Sequence, residues 1–120
     1  MSARFTELAI DCADPARVAE FWAAVLEYAV IDTGVDGEVE IGPPGGGGPT
    51  LVFVQVPERK SVKNRVHIDV NPSGQDQAAE LQRLLALGAR QVDVGQRDVN
   101  WVVLADPEGN EFCLLHRQVD

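Results

Sequence analysis

Residues 5–28 read FTELAIDCADPARVAEFWAAVLEY, and two periodicities meet within them. In the first part Leu8, Ile10 and Cys12 alternate with Glu7, Ala9 and Asp11. Period two with one apolar and one mixed face predicts a strand covered by a helix on one side. Further on, Val18, Phe21, Trp22, Val25 and Leu26 fall at i, i+3, i+4, i+7 and i+8, the apolar stripe of an amphipathic helix. Asp14 is placed to cap that helix, and Pro15 takes its first position, where a missing N–H costs nothing.

The pattern returns at an offset of 60. RVHIDVN, residues 65–71, alternates Val66, Ile68 and Val70 with His67, Asp69 and Asn71. QDQAAELQRLLALGA, residues 75–89, turns Ala78, Leu81, Leu84 and Leu85 to one side, with Ser73 as the expected cap and Gly88 as the left-handed stop. At this offset Glu7 lies over His67, Ile10 over Val70, Ala19 over Ala79, Glu20 over Glu80, Phe21 over Leu81 and Val25 over Leu85. Three short strand-like runs follow each helix: YAVIDT, GEVEIG and TLVFVQV in the first half, ARQVDVG, NWVVLAD and EFCLLHR in the second. The chain therefore reads as two copies of a β-α-β-β-β unit. The first spans about 4–56, the second about 65–117, and a linker covers 57–64.

Composition narrows the function. At 120 residues and 45% hydrophobic content, the expectation is one folded domain. No apolar stretch approaches the roughly 18 residues of a membrane span. The N-terminus runs straight into patterned sequence without a signal peptide, so a cytoplasmic protein is expected. Cys12 and Cys113 then read as reduced thiols. A net charge of −9 argues against nucleic acid, whose binding depends on Lys and Arg neutralising phosphates.

Two unusual stretches carry less chemistry than they suggest. GPPGGGGP, residues 42–49, lacks the context of a phosphate loop and reads as a permissive hairpin turn. PERKSVKNR, residues 57–65, holds four of the ten basic residues; it is either a solvated linker or a grip for an anionic ligand.

The paired units, DPARVAEFWAAVL after the first strand and LADPEGNEFCLL near the end together resemble the vicinal oxygen chelate superfamily, the glyoxalase and bleomycin-resistance group. The resemblance spans essentially the whole chain. It implies an α+β fold, two β-α-β-β-β modules in pseudo-twofold repeat forming an eight-stranded curved sheet with helices packed behind, and commonly a homodimer. Asp106-Pro107-Glu108-Gly109 reads as a turn, with proline fixing φ and glycine supplying a positive one.

Catalytic members of that group hold a divalent metal with His and Glu from the first strand of each module and from the last strand. Carried over, those positions are Glu7, His67 and Cys113, with a fourth near Phe53 or Gln55. A thiolate beside a carboxylate suits Mn or Fe poorly, whereas zinc accepts all three residue types. The departures favour a metal-free cavity, lined on strand parity by Glu7, Asp11, Phe53, Gln55, His67, Asp69, Glu111 and Cys113, with Trp101 as an aromatic plate. Such a cavity suits a natural product or metabolite, aromatic or cationic. The competing expectation is a lyase or isomerase of glyoxalase type with Glu7, His67 and Cys113 around Zn, Mn or Fe. A third is metal-free catalysis with Glu7 or His67 as general base. Cys113 reads as an inert buried thiol, Cys12 as core and His116 as peripheral.

Overall fold

The computed structural model describes residues 1–34 and 36–120. The chain divides into two compact units, Met1–Arg59 and Lys60–Asp120.

In the first unit β1 (Glu7–Cys12) leads into α1 (Pro15–Leu26), followed by β2 (Ala29–Thr33), β3 (Val39–Gly42) and β4 (Thr50–Gln55). The sheet order is β1-β4-β3-β2. The helix starts where the sequence places it: Asp14 accepts a hydrogen bond from the Arg17 N–H at 3.3 Å, and Pro15 opens the helix. It stops at Glu27, a left-handed residue with φ 55°, rather than at a glycine. Val18, Phe21, Trp22 and Val25 are buried against the sheet side of the unit, and the Phe21 and Trp22 rings meet edge to face at 5.4 Å. The glycine-rich stretch closes a turn in which the Gly46 N–H donates to the Pro43 carbonyl at 2.9 Å. Gly46 and Gly47 both have positive φ there.

The second unit repeats the order with shorter strands: β5 (Asp69–Val70), α2 (Gln77–Leu87), β6 (Arg90–Gln91), β7 (Val102–Ala105) and β8 (Glu111–Leu114). Its sheet runs β5-β8-β7-β6, the same arrangement as the first. The eight strands among the described residues thus form two four-stranded sheets, one per unit.

Three expectations need correction. Strand pairing along 65–71 is confined to Asp69 and Val70, and Val66, expected on the apolar face, is 76% exposed. The cap of α2 is Asp76, whose carboxylate accepts from the Ala79 N–H at 3.0 Å, and not Ser73. Finally, the offset of 60 holds only for the first strands. The helix caps Asp14 and Asp76 are 62 apart, so Glu80 is the counterpart of Val18, and Leu84 that of Trp22. In the last strands the offset is 61, because β1 pairs Ala9 with Val52 while β5 pairs Asp69 with Cys113. The first unit's counterpart of Cys113 is therefore Val52, neither Phe53 nor Gln55.

The DPEGN turn is built around Asp106, which is 2% exposed. Its carboxylate accepts from the backbone N–H groups of Glu108 and Asn110, both at 2.9 Å, and Gly109 takes φ 88°. The aspartate, more than the proline and glycine, orders this hairpin by satisfying donors that the tight turn strands.

Candidate functional site

Parallel pairing of β5 with β8 sets the site. The Cys113 N–H donates to the Ile68 carbonyl at 3.0 Å and the Leu115 N–H to the Val70 carbonyl at 2.7 Å. This register lays Asp69 beside Cys113 on one face. His67, two residues before Asp69, turns to the same side. Its Nδ1 lies 3.0 Å from Asp69 Oδ1. With the carboxylate accepting, Nδ1 is the donor of this contact.

Cys113 completes the group at 8% exposure. Burial is the main influence pushing its thiol up from the usual range; the charge and hydrogen bond of Asp69 add to it, and Lys63 opposes weakly. The sulfur is held as S–H and is not an activated nucleophile.

Glu111, at the start of β8, has both carboxylate oxygens engaged. Oε1 accepts from the Asn64 backbone N–H at 2.8 Å and Oε2 from the Lys60 ammonium at 3.0 Å. Burial works to raise its pKa, but these donors and the Lys60 charge outweigh it and hold the carboxyl below its ordinary value. The basic stretch is thereby tied to the sheet at Lys60 and Asn64.

Together these side chains line a cavity of about 530 Å³ in the second unit. His67, Asp69, Glu111, Cys113 and Lys63 share its lining with Val94, Gln96, Trp101, Val103 and Leu115. The 92–96 segment forms part of the wall because it is internally cross-bonded. Gln96 Oε1 accepts from the Val94 N–H at 2.9 Å, and Asp93 accepts from the Gly95 N–H at 2.7 Å. Trp101, just before β7, is 40% exposed.

Five of the residues expected to contact ligand thus share one cavity: His67, Asp69, Trp101, Glu111 and Cys113. The others belong to the first unit. Glu7 and Asp11 are exposed positions of β1, and Gln55 is an exposed end of β4 that reaches the Ala13 carbonyl at 3.4 Å. Phe53, expected on a pocket wall, is fully buried: its register partner is Ile10, so it lies on the apolar, core-facing side of its sheet. Sequence reasoning passed over Val94 and Gln96, and reached Lys63 only as part of the basic stretch 57–65. The Gly95 turn, with φ 93°, was the signal that ARQVDVG does not continue as a strand. His116 is exposed, and its Nδ1 lies 3.4 Å from Gln77 Oε1.

A divalent ion is the group this architecture implies. The ligand atoms of His67, Asp69 and Cys113 all lie within 4.8 Å of one another. Nitrogen, oxygen and sulfur together make a set that zinc accepts and that manganese or magnesium does not favour. A zinc ion would displace the thiol proton and draw Asp69 away from its present hydrogen bonds.

A β-α-β-β-β unit repeated within one chain, each with its helix after the first strand, defines the vicinal oxygen chelate superfamily. The chain belongs to the glyoxalase-like domain family, whose model matches residues 7–115. No curated protein matches it in sequence. Among solved structures, the fold resembles that of an E126Q mutant of the fosfomycin resistance protein FosX from Listeria monocytogenes, complexed with Mn(II) and 1S,2S-dihydroxypropylphosphonic acid. The TM-score is 0.73 at 14% identity, covering 99% of this chain and 92% of that one. It also resembles TnmS3, an antibiotic-binding protein from Streptomyces sp. CB03234, with TM-score 0.64, 18% identity and coverage of 99% and 98%. A glyoxalase/bleomycin resistance protein/dioxygenase family enzyme from Burkholderia phytofirmans PsJN gives TM-score 0.67 at 17% identity, covering 93% and 97%.

Proposed function

We propose that this protein binds a small molecule, a natural product or metabolite, in the cavity of its second unit and sequesters it without a metal. The observation that carries the reading is the cavity itself. Its volume of about 530 Å³ falls within the range of small-molecule sites, and aromatic and aliphatic side chains share its lining with a few polar groups. Asp69 is engaged by His67 and by the Cys113 thiol, so these polar side chains satisfy one another. That TnmS3 is an antibiotic-binding protein on the same fold supports the reading. The chain would act in the cytoplasm as a homodimer, which light scattering on the purified protein tests.

The decisive measurement is metal content of tag-free protein beside native mass spectrometry of the same sample. The expected result is a bound small molecule, lost in Trp101→Ala, with metal well below one ion per chain. Stoichiometric metal that disappears in His67→Ala would sink the metal-free reading.

A second reading has its own support in the clustering of His67, Asp69 and Cys113 within 4.8 Å. In it the protein is a metal-dependent lyase or isomerase of glyoxalase type. A bound zinc would supply Lewis-acid polarisation of a substrate carbonyl. The chain's own residues would hold the ion and leave Trp101 and Leu115 to orient the substrate.

A further inference from the structure

Each acid on the cavity wall has a hydrogen-bonding partner. Asp69 lies 3.0 Å from His67, and Glu111 lies 3.0 Å from Lys60. One charged group remains. Lys63 lines the cavity and makes no ion pair among the described residues; its ammonium rests on the Asn64 carbonyl at 3.2 Å. Its position is nevertheless fixed, because the Asn64 N–H is bound by Glu111 at 2.8 Å. Glu111 thus anchors the segment that carries Lys63 to the edge of the pocket.

Resting on the small-molecule reading above, we infer that the ligand pairs a flat apolar body with an anionic group, the body against Trp101 and Leu115 and the anion received by Lys63. The bulk charge of −9 is compatible with a cationic ligand, which the sequence reading also allowed. At physiological ionic strength, however, distant charges are screened beyond about 8 Å, so the unpaired group at the pocket sets the local preference. Each acid on the wall already has a partner, and a cationic ligand would have to displace Lys60 or His67 to gain one. An anion meets Lys63 without separating either of these pairs.

Two fluorescent probes that differ only in a sulfonate separate the claims. These are 8-anilinonaphthalene-1-sulfonate and neutral N-phenyl-1-naphthylamine, titrated into the full-length protein. The anionic probe is expected to bind more tightly despite the acidic chain, and its affinity to fall with added salt. Lys63→Met should weaken it about three- to tenfold and Lys63→Arg restore it, with the neutral probe unchanged in both. Equal affinity for the two probes, or an anionic probe indifferent to Lys63→Met, overturns the anion assignment while leaving a small-molecule pocket. Failure of both probes to bind, or binding unchanged in Trp101→Ala, overturns the pocket reading as well.

Discussion

The two units follow one plan and put it to different uses. Aligned by their caps, Val18 of α1 and Glu80 of α2 occupy the same place, as do Trp22 and Leu84. Val18 is fully buried and Trp22 is 1% exposed, whereas Glu80 brings a carboxylate into the equivalent buried position. The sheets diverge in the same sense. Ala9 and Val52 sit side by side where the second unit has Asp69 and Cys113. At these positions the first copy carries only small apolar side chains, Ala9 exposed and Val52 half-buried, on strands β1 and β4 of six residues each. In the second copy β5 is two residues long, and its polar positions face a cavity. A duplicated fold can thus divide labour, because one copy's regularity leaves the other free to carry groups that fit a core poorly.

The largest effect that tests this division is on stability. Trp22→Ala removes a buried indole and its edge-to-face contact with Phe21, and should cost about 3–5 kcal/mol. Leu84→Ala, at the matching place in α2, removes a smaller side chain and should cost less. Urea unfolding of both variants decides the matter. A Leu84→Ala loss equal to that of Trp22→Ala would break the comparison.

Next in size is Glu80 itself. Burial works to raise its pKa, yet hydrogen bonds from Arg83 at 2.9 Å and Gln75 at 3.0 Å, with the Arg83 charge, bring it below its ordinary 4.5. A depressed carboxyl contributes stability that is fully present above the unfolded-state value and lost as pH falls through the folded one. Glu80→Ala, which strands both donors, should cost about 1–2 kcal/mol at pH 7. It should also flatten the loss of stability on acidification below about pH 4.5, the ordinary value from which Glu80 departs. An unchanged acid limb in thermal melts at a series of pH values would show that Glu80 is no more than a replaceable polar residue.

How far the sequence could be read depended on whether a signal was local. The Asp14 cap, Pro15 and the apolar stripe of α1 are written within a dozen residues, and the structure follows them. The Gly109 turn was legible for the same reason. Ser73 and Asp76 offered two caps to one helix, and only the three-dimensional position of Gln77 selects between them. Register was the harder problem. The second copy has two more residues before its helix cap and one fewer between cap and last strand, which leaves the offset at 61. A one-residue slip exchanges the faces of a strand. That slip is why Phe53 read as a pocket residue when it is core, and why Val52 went unnoticed as the partner position of Cys113. Lys63 could not be singled out within the basic stretch for a further reason: its placement depends on Glu111, 48 residues away, which holds the neighbouring Asn64.

A smaller effect probes the polar positions of the second unit directly. After burial, the charge and hydrogen bond of Asp69 are what keep the Cys113 thiol protonated. Asp69→Asn removes the charge and should ease ionisation, raising the iodoacetamide reaction rate severalfold at pH 8 and moving its pH profile to lower values. Burial persists, so the thiol stays above its free range. A rate unaltered by Asp69→Asn would mean that the Asp69–Cys113 pair is a matter of register and not of chemistry.

The smallest effect contrasts the two tryptophans, one in each unit. Trp22 is 1% exposed and Trp101 is 40% exposed on the cavity wall. Acrylamide should therefore quench one part of the emission readily and leave another shielded, and Trp101→Phe should abolish the quenchable part. A pocket ligand ought to protect that same fraction and leave the Trp22 emission untouched. If the signals instead responded together, or if the ligand shielded Trp22, the division would be misplaced: the first unit would then share the binding role that its Ala9 and Val52 deny it.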